Sequence, residues 1–131
     1  MSVRTSIILI ALLFLTSLNL QGQNKEVNII YIGDSITQGV QLDDPGKQAP
    51  PALASMDLRL REGMGMVNFS NQGRSGFTTV DFLPQGETFK HVELAANELA
   101  KKPGLLIFSV MLGTNDSAIT GPNGAPVSPE N

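Results

Sequence analysis

The chain has 131 residues, of which 41% are hydrophobic and 16% charged, and its formal net charge is −3. These values are ordinary for a single globular domain, and a mildly acidic chain without a cluster of Lys and Arg is a poor candidate for nucleic-acid binding. The absence of cysteine excludes disulfides, thiolate zinc sites and cysteine nucleophiles.

Residues 1–23 have the pattern of a secretory signal peptide. Arg4 supplies a positive charge, residues 7–15 form an uninterrupted apolar core, and a polar stretch follows. The core has the length of a signal-peptide h-region and is shorter than the ~20 apolar residues that span a bilayer. A buried N-terminal helix, or an uncleaved anchor extending through Leu20, would give a similar pattern. We expect cleavage near Gly22, a secreted or periplasmic mature protein, and no stable membrane insertion after cleavage.

After the leader, hydrophobic periodicity predicts one domain over residues 24–131. In chain order its elements are a strand at 27–32, a helix at 52–61, a strand at 66–69, a helix at 88–102 and a strand at 105–112. Apolar strands that alternate with helices predict an α/β fold with a parallel sheet and helices on its faces.

The two predicted helices differ in how clearly their apolar faces are marked. Pro51 suits the first turn of the first helix, and its apolar face is predicted to comprise Leu53, Met56 and Leu60. The second helix has the clearer helical spacing of apolar residues, at Phe89, Val92, Ala95, Ala96 and Leu99. The stretch at residues 38–51 contains several glycines and prolines and predicts a loop.

A small polar motif follows each predicted strand. The motifs are Gly-Asp-Ser-Ile-Thr at residues 33–37, Asn-Gln-Gly-Arg-Ser at 71–75 and Gly-Thr-Asn-Asp at 113–116. Because ligands bind outside the carboxyl ends of the strands in open parallel sheets, the three motifs should meet at one rim. Each motif alone also fits an ordinary turn or helix cap. Their shared position after a strand favours a functional site.

The residue types in these motifs suit acyl transfer. A serine at a strand-to-helix turn presents its hydroxyl above the sheet, and its own N–H points to the same place. Glycine lets a backbone N–H approach a ligand closely, and an asparagine amide is a neutral donor. Three such donors aimed at one point form an oxyanion hole.

The three motifs resemble those of the SGNH hydrolase superfamily, also called the GDSL family, which comprises esterases, lipases and carbohydrate deacetylases. The resemblance implies a flavodoxin-like three-layer α/β/α fold. It implies Ser35 as the nucleophile, and an oxyanion hole made by Ser35 N–H, Gly73 N–H and the Asn115 amide. The supporting residues would be Gly33, Asp34 and Asp116. No metal or cofactor is implied. A further similarity to secreted bacterial deacetylases implies a small-molecule or glycan O-acyl ester as the substrate.

A serine hydroxyl needs a base to take its proton. The resemblance implies an Asp-x-x-His block after the third motif, and the 131 residues contain no such sequence. The single histidine, His91, falls within the predicted helix at 88–102, and we interpret it as a surface residue. We therefore expect the chain to be the N-terminal portion of an SGNH hydrolase, with an incomplete sheet and no turnover alone.

Two alternatives remain open. One is a naturally short binding protein that holds an acylated glycan or ester at the same rim without cleaving it. The other is an esterase in which His91 or an unknown partner supplies the base.

Overall fold

The computed structural model describes residues 24–117. The predicted signal peptide, residues 1–23, and the last part of the predicted domain, residues 118–131, lie outside the described residues. The elements are β1 (Lys25–Gly33), α1 (Ser35–Gln38), α2 (Pro45–Gln48), α3 (Pro50–Arg59), β2 (Met64–Gly73), a short 3₁₀ helix (Val80–Phe82), α4 (Glu87–Ala100) and β3 (Leu105–Met111).

The three strands form one parallel sheet in the order β2-β1-β3. The register places Gly33, the last residue of β1, opposite Gly73 of β2 and Met111 of β3. The carboxyl ends of all three strands therefore lie at one rim, and each polar motif lies at or just after one of these ends. The predicted α/β fold with a parallel sheet is confirmed.

Successive side chains of β1 point to opposite faces of the sheet and form two separate cores. The core on one face consists of Val27, Ile29 and Val67, with Leu58 of α3 packed against it. The core on the other face consists of Ile30 with Val92 and Leu99 of α4. The sheet thus lies between α3 and α4, which is the three-layer arrangement expected of part of a flavodoxin-like fold.

Helix α3 buries a different face from the predicted one. The residues expected to be buried are exposed, at 46% for Leu53, 54% for Met56 and 81% for Leu60. The buried residues are instead Pro51, Ala52 and Ser55, whose small side chains let the helix lie close to the sheet. Ser55 Oγ is hydrogen-bonded to the Tyr31 hydroxyl at 3.2 Å, so this polar contact is satisfied at the helix–sheet boundary.

Two predicted boundaries are also wrong. The predicted loop at residues 38–51 contains the one-turn helix α2 and the start of α3. Strand β2 continues to Gly73 instead of ending at residue 69, because residues 70–73 pair in register with residues 30–33 of β1. This pairing uses backbone groups and does not require apolar side chains, so the second motif begins within a strand.

Strand β3 forms one edge of the sheet within residues 24–117, and several of its apolar side chains, including Leu105, Phe108 and Val110, are exposed. No helix in that range is both long and apolar enough to cross a membrane.

Candidate active site

Ser35 is the first residue of α1, directly after the central strand. Asp34 caps this turn: its Oδ1 accepts a hydrogen bond from the Ile36 N–H at 2.9 Å, and the residue is 1% exposed. Gly39 ends the turn with φ of 80°, in the left-handed region. The half-buried Ser35 is therefore held at the rim by a capped single turn.

Gly33 allows this turn to fold back onto the end of β1. A Cβ at Gly33 would overlap the Thr37 side chain and would lie 2.8 Å from the Met111 carbonyl oxygen. Thr37 is itself buried, so it has little room to move. The supporting role expected of Gly33 thus has a steric basis, because a side chain there would push the turn that bears Ser35 away from the sheet.

The second motif is attached directly to the turn that bears Ser35. The Arg74 N–H donates to the Gly33 carbonyl at 2.9 Å, and the Ser75 N–H donates to Gln38 Oε1 at 2.7 Å. Gly73 is buried, and a Cβ there would overlap the Gln38 backbone nitrogen. The first and second motifs therefore form one packed unit.

We expect Gly73→Ala to reduce kcat of the acyl transfer expected from the sequence by about 100-fold, because the added methyl displaces the turn that bears Ser35 and a misplacement of ~1 Å has an effect of this size. The measurement is kcat beside thermal unfolding. Gly46→Ala is the matched control: its nearest neighbour is an Asp44 carboxylate oxygen at 3.3 Å, and its activity should be unchanged. Unaltered kcat in Gly73→Ala would contradict the packing argument.

The Gly73 N–H, which is the expected oxyanion donor, forms a hydrogen bond within the site. It donates to Asn71 Oδ1 at 2.9 Å, while Asn71 Nδ2 donates to the Thr37 carbonyl at 2.7 Å. Asn71 was not among the site residues predicted from the sequence. The available signal was its position in the second motif, two residues before Gly73.

The third motif is held by the segment that follows the second one. Asn115 Nδ2 donates to the Phe77 carbonyl at 2.8 Å. Asp116 accepts hydrogen bonds from the Thr79 hydroxyl and from the Thr79 N–H, the latter at 2.9 Å. The amide NH₂ of Asn115 has a second hydrogen that the bond to Phe77 does not use. The third motif is therefore attached to the chain segment that directly follows the second motif, and the second motif is attached to the first.

Asp116 has a lowered pKa. Desolvation raises the pKa of its carboxyl, but the hydrogen bonds donated by Thr79, with contributions from the backbone of Gly113 and Asp116, outweigh it. The net pKa lies below the ordinary value of 3.8, so the carboxylate stays charged and bonded to Thr79 at neutral pH.

Asp116→Ala should lower the free energy of unfolding by about 1 kcal/mol at pH 7, through loss of the bonds to Thr79. As the pH falls, the Asp116 carboxylate is protonated in the unfolded chain before it is protonated in the folded protein, because its pKa is higher in the unfolded chain. The stabilisation is therefore present above pH 3.8 and is lost as the pH falls through the lower folded-state pKa. Urea unfolding of Asp116→Ala and the parent at pH 7 and pH 3 measures the difference in the free energy of unfolding.

The control is Asp57→Ala, which breaks an exposed ion pair with Arg61 and should change the free energy of unfolding little at either pH. An equal effect of Asp116→Ala at both pH values would contradict the assignment.

His91 lies away from the three motifs. It is exposed on α4 and lines a surface depression with Pro84, Gly86 and Lys90, among others, but with none of Ser35, Gly73 and Asn115. Its interpretation as a surface residue is confirmed.

The comparison with protein families agrees with the geometry of the rim. The model of the GDSL-like Lipase/Acylhydrolase family matches residues 29–131, a range that contains all three motifs. Among curated proteins, none matches the chain. The family match and the parallel sheet with its polar rim indicate a general acylhydrolase activity. The chain belongs to the GDSL-like lipase/acylhydrolase family.

Proposed function

We propose that the protein is a secreted serine esterase that removes acyl groups from carbohydrate O-acyl esters, with Ser35 as its nucleophile. The observation that carries the assignment is the contact between the first two motifs: the Arg74 N–H donates to the Gly33 carbonyl, and this bond fixes Gly73 against the turn that bears Ser35. Asn115, held through Phe77, belongs to the same rim.

In the proposed reaction, Ser35 Oγ forms a bond to the ester carbonyl carbon while a base takes the hydroxyl proton. The oxyanion accepts hydrogen bonds from the N–H groups of Ser35 and Gly73 and from the Asn115 amide. The base returns the proton to the departing alcohol as the carbon–oxygen bond breaks. Water then attacks the acyl-serine, the carboxylic acid leaves, and Ser35 regains its proton.

We assign the base to a histidine of an Asp-x-x-His block outside the 131-residue sequence, as the family resemblance implies. His91 is a poor alternative, because it is exposed on α4 and lines a surface depression that includes none of Ser35, Gly73 and Asn115. His91→Ala tests this assignment: kcat in the full-length protein should stay within about 2-fold of the parent value, whereas removing a general base costs at least 100-fold.

A carbohydrate ester is the substrate class that the rim supports best. Beside the exposed Ile36, the rim next to Ser35 has partly accessible polar side chains, those of Gln38 and Arg74. Such groups can form hydrogen bonds with sugar hydroxyls, and Arg74 suits a negatively charged sugar. Within residues 24–117 the Arg74 side chain forms no ion pair, so its charge is available to a ligand.

The substrate class is tested by comparing kcat/KM for an acetylated oligosaccharide with kcat/KM for a long-chain aryl ester. We expect a preference of at least 10-fold for the acetylated sugar, which corresponds to about 1.4 kcal/mol of transition-state binding. A preference for the long acyl chain would reject the carbohydrate assignment and leave the general acylhydrolase activity intact.

Secretion is tested separately by expressing the full-length gene and sequencing the N-terminus of the exported protein. A mature chain that starts near Gln23 is expected. A protein that retains Met1 in the cell would reject the signal-peptide assignment.

Binding without turnover is the second candidate. One observation favours it: the Gly73 N–H, the expected oxyanion donor, is already bonded to Asn71. Isothermal titration with an acetylated oligosaccharide, followed by an acetate assay, separates the two functions. Saturable binding with no acetate released would favour the binding protein over the esterase.

A further inference from the structure

Asn71 connects the nucleophile turn to the predicted oxyanion donor. Its Nδ2 donates to the Thr37 carbonyl at 2.7 Å, and its Oδ1 accepts the Gly73 N–H at 2.9 Å. The side-chain amide of asparagine has a donor and an acceptor on one neutral, planar group, so it can bond to both partners at once. A single half-buried side chain therefore contacts both peptide segments that have to be aligned for catalysis.

Each partner of Asn71 needs this contact for a separate reason. Helix α1 is a single turn, and the last carbonyls of a helix lack intrahelical donors, so the Thr37 carbonyl depends on an outside group. On the other side, the Arg74 N–H points at β1 and bonds to Gly33. The preceding N–H, that of Gly73, points to the other side of the strand, where Asn71 supplies its acceptor.

The Gly73 peptide cannot adjust freely if this contact is lost. A Cβ at Gly73 would overlap the Gln38 nitrogen and lie 2.8 Å from the Thr37 carbonyl carbon, so the peptide lies directly against α1. Packing fixes the distance between α1 and the end of β2. The peptide group of Gly73 can still rotate, and this rotation sets the direction of the Gly73 N–H.

We propose that Asn71 is a positioning residue that orients the Gly73 N–H relative to Ser35 and shares this donor with the oxyanion when the tetrahedral intermediate forms. This inference rests on the proposed esterase function. Asn71 touches neither the substrate nor the reacting atoms; it acts through the Gly73 peptide and the nucleophile turn.

The test compares Asn71→Ala and Asn71→Asp with Asn68→Ala in the full-length protein. Asn68 is a matched control, because it lies on the same strand and also bridges other elements, with Asn28 at 2.9 Å and Lys102 at 3.1 Å. Both Asn71 variants should lower kcat by about 100-fold with KM within about 3-fold, because only the aligned transition state is lost. Asn68→Ala should lower the melting temperature and leave kcat within about 2-fold.

A kcat of Asn71→Ala within 3-fold of the parent, or an equal loss in Asn68→Ala, would overturn the proposal. If Asn71→Ala does not fold, Asn71→Asp decides the question. It keeps an acceptor for Gly73 but places a carboxylate oxygen against the Thr37 carbonyl, which displaces the side chain that orients Gly73. A folded Asn71→Asp with kcat within 3-fold of the parent would then overturn the proposal. Ser35→Ala is measured in parallel. Retained turnover in Ser35→Ala rejects the esterase function itself, whereas an inactive Ser35→Ala beside a fully active Asn71→Ala rejects only the positioning role.

A second readout does not depend on turnover. Hydrogen exchange at the Gly73 amide, followed by NMR, should be at least 10-fold faster in Asn71→Ala than in the parent and unchanged in Asn68→Ala. Equal Gly73 protection in the parent and Asn71→Ala would overturn the role of Asn71 as the acceptor.

Discussion

Ser35→Ala is expected to lower kcat by about 10,000-fold or more, because the nucleophile and base of a serine hydrolase act as one unit. Substrate binding should remain, since the hydroxyl is small and the turn is held without it. The Asp34 carboxylate accepts the Ile36 N–H, and the Gly39 N–H donates to carbonyls of the turn. The measurement is the rate of acetate release by the full-length protein at saturating substrate, with binding followed by titration.

Ser75→Ala is the matched control for this experiment. Ser75 belongs to the second motif and is exposed, but it contacts the nucleophile turn through its backbone N–H and not through its hydroxyl. Its kcat should therefore stay within about 2-fold of the parent value, since exposed substitutions rarely matter. Residual activity in Ser35→Ala comparable with that of Ser75→Ala would contradict the nucleophile assignment.

Asn115→Ala is expected to lower kcat by about 100- to 1,000-fold, the usual effect of removing one oxyanion donor. The variant also loses the bond to the Phe77 carbonyl, which should cost about 1 kcal/mol of stability. KM should change little, because the donor binds the oxyanion of the transition state and not the neutral carbonyl of the substrate.

Two further substitutions separate the donor role of Asn115 from its structural role. Asn115→Asp keeps the shape but replaces the NH₂ with a carboxylate oxygen, so kcat should fall at least as far as in Asn115→Ala. Thr114→Ala, at the exposed neighbouring position, should leave kcat unchanged. If Asn115→Ala loses stability but keeps its kcat, Asn115 only holds the loop.

The location of the rim could be predicted from the sequence because three short apolar runs each end in a polar motif. Parallel strands bring their carboxyl ends to one edge, and the register of Gly33 with Gly73 and Met111 has this arrangement. Helix α4 was also predictable, since Val92 and Leu99 recur at helical spacing and both are buried.

Helix α3 shows where hydrophobic periodicity fails. Its apolar residues Leu53 and Met56 suggested a buried face, but the sheet contacts the side with Ala52 and Ser55. The contacts of this side are with residues distant in sequence, such as the hydrogen bond between Ser55 and Tyr31 of β1, which joins residues 24 positions apart. A pattern within one helix contains no information about such a partner.

Asn71 was missed for a related reason. As part of a predicted loop, its side chain had no defined direction. Once β2 extends to Gly73, the backbone fixes the position of Asn71 beside Thr37, and its two hydrogen bonds follow. The role of Asn71 depends on where β2 ends. Hydrophobic periodicity did not predict this boundary, because the residues before Gly73 are polar.

The role of Ser35 as the nucleophile is tested most directly by treating the purified full-length protein with a fluorophosphonate and locating the adduct by peptide mass spectrometry. The reagent forms a phosphorus–oxygen bond with an activated serine and releases fluoride, with the hydroxyl proton passing to the base. We expect one modified site, Ser35, with labelling blocked by an acetylated oligosaccharide. An adduct on another residue, or a folded protein that is not labelled, would contradict the assignment of this rim as the site of acyl transfer.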